Sequence, residues 1–481
     1  MPGSPAQLGA VSRRAAPFGI GRRATGLGSS LASLAHQGQI ARCREELGGQ
    51  HVIHRQLSLG GGGFALAILA VSIAGGTALA ESAGAGRAGA TIGREHPEAA
   101  GQPKVDLSQQ ADQTNLPQQG LAGAADGLYD QYIAFKNKIQ GDHNLEFSMP
   151  VSVFGQWGTP KGGPTVAEVV YSPTVTWTPF TDTPIGSGAF NFAFQGNQFW
   201  TGATTDSQHE RMGLLAPPND WGANSYQFAQ IAYTHTFPGN WLAVSVGQYS
   251  FGLYDSNQYA GSAQTNFINY TMAQNGTQTY ANAGTGGYVQ ISPGTQLHFA
   301  GGLQSATDIA GQSVTTSGFR NNQTAYFGAA QWTPSYLAGG TYGVIYYSQP
   351  SVPLQPSSSR GISFSAVQNL NERYGLFLCA NNASGDAIPI ETSVAFGGIV
   401  NNPFGRTRLD QAGIGIAWNK TNTATVGEPS RGSEWVAELY YSYTVFKALQ
   451  LTPDLQVYVN PVLAPSTSLA AVFSLRTTFK F

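Results

Sequence analysis

The sequence predicts an all-β chain: a transmembrane antiparallel up-and-down β-barrel of about sixteen strands, preceded by a short helix and a disordered tail. Three observations carry this. Long runs alternate apolar and polar residues with period two, the connections between them alternate short and long, and the composition is polar without being charged. Charged residues make up only 10% of the chain, with 61 Gly, 25 Phe, 21 Tyr and 8 Trp, against roughly 25% charged in ordinary soluble domains. A soluble surface needs charge, and a surface facing lipid excludes it. The formal net charge of −2 gives no case for a nucleic-acid partner, which demands a basic patch.

From the N-terminus, residues 64–76 (FALAILAVSIAGG) form the one long apolar stretch. It is too short to span a bilayer as a helix. With Arg55 before it and Ala78-Leu79-Ala80 after it, it reads as a signal peptide cut after Ala80. The Arg-bearing stretch before it (Arg13, Arg14, Arg22, Arg23, Arg42, Arg44) overextends such a peptide. A start placed too early, with the true one near Val52, explains it; an organellar transit peptide is the rival reading. Domain 1–80 is therefore signal plus extension. Cleavage removes Cys43 and leaves Cys379 alone, which excludes a disulfide framework and a Cys-based metal site. Export without an apolar run of about 18 residues leaves a periplasmic protein, a secreted protein or a multi-pass outer-membrane barrel. Residues 81–124, rich in Ala, Gly, Gln and Pro, read as a disordered periplasmic linker. In 125–142, Leu128, Tyr129, Tyr132, Ile133 and Phe135 fall at helical spacing, a short amphipathic helix acting as lid or spacer.

The barrel is expected over 143–481. Its period-two runs are 143–157, 164–180, 187–201, 222–237, 240–253, 284–292, 294–304, 319–333, 339–349, 360–370, 372–382, 389–401, 408–420, 433–445, 448–460 and 467–481. Such runs put one face to lipid and one to water, and many exceed the usual soluble strand of about 5–6 residues. With both ends periplasmic, every second link must be a tight turn. Thr181–Gly186, Pro238-Gly239, Pro293, Pro334–Gly340, Asn371, Asn402–Arg406 and Phe446-Lys447 satisfy this, while the long links 202–221, 254–283, 305–318 and 421–432 fall on the other side. Trp157, Trp200, Trp241, Trp332, Trp418 and Trp435 lie near run ends, where interfacial girdles form.

The stretch Trp435–Tyr443 (WVAELYYSY), then Leu449–Pro461 (LQLTPDLQVYVNP), then a closing amphipathic strand ending in Phe resembles the carbohydrate-selective porin (OprB) family. Leu451–Pro461 is the most specific part; the likeness is strongest over 433–481 and weaker over 143–432. The resemblance implies a sixteen-stranded barrel passing mono- and oligosaccharides by facilitated diffusion, without cofactor.

On the predicted lumen face, Glu438, Asp454 and Arg476 lie on consecutive runs with Gln450, Gln456, Tyr440 and Tyr458 nearby. They form a charge ladder that lines the solute path, holds the wall together, or both. The loop 254–283, third among the outer links, carries Asp255, Tyr259 and Tyr270 and is expected to fold inward as a constriction. The loop 202–221, with His209, Glu210, Arg211, Asp220 and Trp221, is the second constriction candidate, or else a solvated outer loop. Phe481 resembles the terminal aromatic by which the barrel-assembly machinery recognises its clients. A carbohydrate solute, outer-membrane lipid, that machinery and a second copy of the chain are the expected partners. Neither monomer nor trimer follows from the sequence.

A barrel enzyme is the alternative class. Among His96, His143, His209, His235 and His298, only His209 beside Glu210 hints at a lipase or protease, and no H-E-x-x-H, G-x-S-x-G or P-loop occurs. A hydrophobic-substrate channel and a surface or secretion component are the remaining readings.

Overall fold

The computed structural model describes residues 121–481 apart from 161–164, 337–338, 354, 386–387 and 427–430. The apolar segment 64–76, the cleavage point after Ala80 and the linker up to residue 120 lie outside the described residues.

Sixteen antiparallel strands close into one barrel. They are β1 (Leu145–Ser148 with Val151–Thr159), β2 (Val166–Tyr171 with Thr174–Thr183), β3 (Gly186–Phe199), β4 (Ser225–Thr236), β5 (Leu242–Tyr249), β6 (Gly284–Ile291), β7 (Leu297–Ser305) and β8 (Thr324–Trp332). Then follow β9 (Gly340–Gln349), β10 (Ser359–Asn369), β11 (Tyr374–Ser384), β12 (Ile390–Asn401), β13 (Gln411–Thr421), β14 (Ser433–Phe446), β15 (Leu449–Val459) and β16 (Leu469–Phe479). Each strand pairs with its sequence neighbours, and β16 pairs with β1 from Ala471↔Thr159 to Phe479↔Val151. Closure leaves no edge strand, as a bilayer demands of backbone polar groups.

Two strands are interrupted where the sequence expected continuous runs. Pro150 and Pro173 have no N–H to give the ladder, so β1 and β2 each break there. The breaks are bridged by Ser172 N–H donating to Pro150 O (3.1 Å) and Phe194 N–H to Pro173 O (3.0 Å). β5 stops at Tyr249 instead of running to 253, because Ser250 Oγ accepts the Gly252 N–H at 3.0 Å and starts a 3₁₀ turn over Phe251–Tyr254. β8 begins at Thr324, after a helical turn at Ser317–Arg320.

The outer face is a band of exposed large apolar side chains, among them Phe190, Ile231, Val246, Phe299, Ile362, Phe396, Ile414, Leu439, Phe473 and Leu475. The alternate residues of the same strands are inside. Among the described residues no helix is long and apolar enough to cross a membrane; the strands do the crossing.

Helix α1 (Leu121–His143) begins four residues before the stretch whose spacing predicts a helix. It ends where Asn144, in the left-handed region at φ 51°, donates its N–H to Gln140 O at 2.9 Å, a role Asn tolerates well. Tyr129 and Ile133, one turn apart, pack on Ala448 with Tyr132 and Phe446 at their side. Asp126 accepts the backbone N–H of Lys447 (2.7 Å) and Asp130 its ammonium (2.7 and 2.8 Å). The helix is thus fixed to the tight turn between β14 and β15, at the short-turn end of the barrel.

Candidate functional site: an infolded loop and the wall that holds it

Two long links do not stay outside. The link between β5 and β6 (residues 250–283, called the inner loop below) dips into the barrel and lies against the inner wall from β9 through β16 to β1 and β2. Small wall residues make room for it. A Cβ at Gly375 would stand 2.4 Å from the Tyr259 hydroxyl, and one at Gly415 would stand 2.8 Å from the Met272 sulfur. Phe267 packs on Phe377 (5.1 Å) and edge-on to Tyr440 (5.1 Å, 88°). Asp255 ties the two legs of the loop together, accepting from Asn275 Nδ2 (2.6 Å) and Tyr280 OH (2.8 Å). Burial pushes its carboxyl up from the ordinary range, against the lowering effect of these donors.

The predicted ladder is what the loop sits on. Glu438 accepts the backbone N–H groups of Ile268 (2.5 Å) and Asn269 (3.0 Å). Arg476 donates to the carbonyls of Ala263 (2.6 Å), Asn266 (2.8 Å) and Thr265 (2.8 Å). Asn269 Nδ2 reaches Tyr458 OH (2.8 Å) and Gln456 Oε1 (3.2 Å). Tyr440 OH donates to Gln411 Oε1 at 2.6 Å. All six predicted path residues therefore face inward but are covered. Asp454, the most exposed of Glu438, Gln456, Tyr440, Tyr458, Arg476 and itself, is at 5%. The register also differs from a simple row of charges. Arg476 faces Thr452, Asp454 faces Tyr440 and Ser474, and Glu438 faces Gln456, so the three charges are diagonal neighbours.

The link between β3 and β4 folds in as well, but not through its charged residues. Glu210 and Arg211 are exposed on α2 (Thr205–Met212). The segment after it is buried, with Leu214, Leu215 and Ala216 at 2% exposure or less. Glu434 accepts the N–H groups of Leu215 (2.8 Å) and Ala216 (2.9 Å). Gln156 and Gln456 both donate to Pro218 O (3.2 and 2.9 Å), and Asn219 binds Glu168. The two loops meet where Tyr270 N–H donates to Pro217 O at 3.2 Å, and Trp221 packs on Phe154, Val170 and Ile268. Burial lowers the His209 imidazole pKa, outweighing Asp206 and Glu210, which favour its charged form.

Asp220, at this junction, has a buried Oδ1 without a hydrogen-bond partner among the described residues. Burial pushes its carboxyl up to about 7, and the Tyr270 phenol up to about 12, with Asp220 and Asp255 adding to the latter. An unfolded Asp titrates near 3.9, so the packed junction holds a proton that free Asp220 has lost. Its stabilisation is complete below about pH 4, declines as pH rises toward 7, and is constant above. Single-channel current should accordingly fluctuate more at pH 8 than at pH 5, and Asp220→Asn should flatten this dependence. An unchanged pH dependence in the variant would refute the assignment.

The sequence reading missed the wall formed by β2–β5. Trp177 and Phe190 stack at 5.7 Å on the exposed outer face, so Thr176 and Asn191, adjacent to each, point inward. Thr176 Oγ1 donates to Asn191 Oδ1 (3.3 Å), Asn191 Nδ2 to Thr234 Oγ1 (3.4 Å), and Thr234 Oγ1 to Ser245 Oγ (3.1 Å). Gln227 Nε2 donates to Gln195 Oε1 at 2.6 Å. Inward period-two positions of β2–β5 carry these residues, a signal present in the sequence once outward aromatics fix the face.

Comparison with known proteins agrees with this architecture. The family described as carbohydrate-selective porin, OprB family, matches residues 190–481. Porin AaxA of Chlamydia pneumoniae is 32% identical over 349 residues, covering 69% of this chain and 78% of that protein. Porin AaxA of Chlamydia felis (strain Fe/C-56) is 30% identical over 353 residues, covering 71% and 79%. The high-pH structure of Pseudomonas putida OprB superposes with a TM-score of 0.59 at 14% identity, over 73% of this chain and 97% of that one, a likeness of fold. A closed sixteen-stranded barrel with an apolar exterior and an infolded third long link, matched by that family over most of its strands, belongs to the carbohydrate-selective porin, OprB family, and is an outer-membrane porin.

Proposed function

We propose that the channel passes neutral mono- and oligosaccharides by facilitated diffusion, with the short-turn end and α1 on the periplasmic side. One observation supports this most directly. Glu434, Glu438 and Arg476 are spent on loop backbone rather than exposed to solute. A channel whose fixed charges are consumed in this way offers ions little and hydroxyl-rich solutes much. In this reading the charged wall positions the constriction, and solute touches the neutral wall of β2–β5. The family's description points the same way. Liposomes carrying the purified protein should swell faster in glucose than in an amino acid or phosphate of similar size. Equal rates for all three would defeat selectivity.

Catalysis is not part of this proposal. A barrel hydrolase would have to work through His209, and activity on phospholipid or peptide that disappears in His209→Ala would favour it. Insertion through the barrel-assembly machinery belongs to the proposal as well.

A further inference from the structure

The row Thr176, Asn191, Thr234 and Ser245 crosses four adjacent strands of the lumen wall, from β2 to β5. Thr176 is opposite Asn191 and Thr234 opposite Ser245, and Thr234 lies diagonally to Asn191, two residues from its partner Ala232. Gln195 and Gln227 form a second pair four residues further along β3 toward the long-link end, about 13 Å of strand. None of the six carries a charge. Thr176, Asn191, Thr234, Gln195 and Gln227 are partly exposed, unlike the covered ladder of β14–β16.

The bonds within the row are long, at 3.3, 3.4 and 3.1 Å, near or beyond the usual range for such groups. They are therefore weak and readily exchanged. Each member also keeps capacity to spare: a carboxamide has two N–H donors and two lone pairs, and a hydroxyl has one donor and two lone pairs. A solute hydroxyl can enter the row as donor and acceptor at once without leaving any partner unsatisfied, which is the condition for binding without a desolvation penalty. The six residues themselves offer a bare ion no fixed charge to repay the loss of its water; the nearest carboxylate in register is Glu146, opposite Thr176 on β1 and beside Lys136. Such a surface binds each hydroxyl weakly and at several places, as conduction requires.

We propose that Thr176, Asn191 and Thr234, backed by the buried Ser245, with Gln195 and Gln227 above them, form a hydroxyl-exchanging rail that contacts neutral polyols in transit, and that this rail sets the channel's preference. The proposal rests on the carbohydrate reading and adds the residues that would execute it. It assigns the selectivity to β2–β5, not to the charged residues of β14–β16.

The test uses the full chain in liposomes and planar bilayers, with glucose and maltose as solutes and KCl as the current carrier. The double variant Asn191→Leu with Thr234→Val should slow sugar-driven swelling at least threefold while KCl conductance stays within twofold of wild type. Thr234→Ser, which keeps the hydroxyl, should recover most of the swelling that Thr234→Val loses. Asn191→Asp, nearly isosteric, should move the KCl reversal potential toward cation selectivity, which only a lumen-facing residue can do. Unchanged swelling in an inserted double variant overturns the rail. Should the double variant fail to insert, an unchanged reversal potential in Asn191→Asp overturns it instead. Wild-type protein passing sugar and amino acid equally would overturn the functional reading itself, whereas a wild-type preference that survives these variants overturns the rail alone.

Discussion

Replacing Arg476 by Leu should raise single-channel conductance at least twofold and erode discrimination among solutes. The guanidinium makes three charge-assisted bonds to inner-loop carbonyls, at 2.6, 2.8 and 2.8 Å. Each such bond contributes about 1.5–3 kcal/mol, so roughly 5 kcal/mol of loop anchoring is at stake. Leu restores volume but no donors, and the carbonyls of Ala263, Thr265 and Asn266 are then better satisfied by lumen water, which pulls the loop off the wall. Lys supplies donors without the planar fork and should restore conductance only in part. Heat-modifiable migration in gels, a property of the intact barrel, separates loop release from misfolding. A folded Arg476→Leu channel of unchanged conductance would show that the loop holds without this clamp.

Deleting Phe481 should reduce barrel levels in the outer membrane severalfold while leaving the conductance of each inserted channel near wild type. The residue closes the cylinder: its carbonyl accepts Met149 N–H (2.9 Å) and Ser148 Oγ–H (3.2 Å) across the first and last strands. Its ring stacks on Phe479 at 6.3 Å and 8° on the lipid side. We propose that the same partly exposed terminal ring is what the assembly machinery reads. Loss therefore acts before the channel exists more than after. Normal membrane levels of the truncated chain would remove Phe481 from assembly, and a large drop in per-channel conductance would give it a pore role instead.

The barrel was legible in the sequence because lipid imposes the simplest code a strand can carry. Leu469, Ala471, Phe473, Leu475, Thr477 and Phe479 alternate with Ser474, Arg476 and Thr478, and β16 reproduces that alternation. The tight turns were legible because they must be short. The breaks at Pro150 and Pro173 were not, since one missing donor leaves the two-residue period intact on both sides. The ladder residues were found on the correct face, yet their burial was invisible. Whether Arg476 meets solute or carbonyl depends on residues 263–266, more than 200 positions away in sequence. In the link between β3 and β4 the charged cluster drew notice, while the segment that enters the barrel is Leu214-Leu215-Ala216, whose apolar character marks it for burial. The neutral wall went unread because Thr, Asn and Ser at alternate positions look like any hydrated strand face.

Three of the inner loop's fastenings are spread along its length. Asp255 joins its two legs through Asn275 and Tyr280, Arg476 grips its 263–266 stretch, and Glu438 holds Ile268 and Asn269. Topologically it is a ring riveted to the wall, not a flap on two hinges. A protease that severed the segment once, anywhere between Asp255 and Asn275, would leave each half still pinned. The channel would keep its narrowing with the covalent continuity of the loop gone.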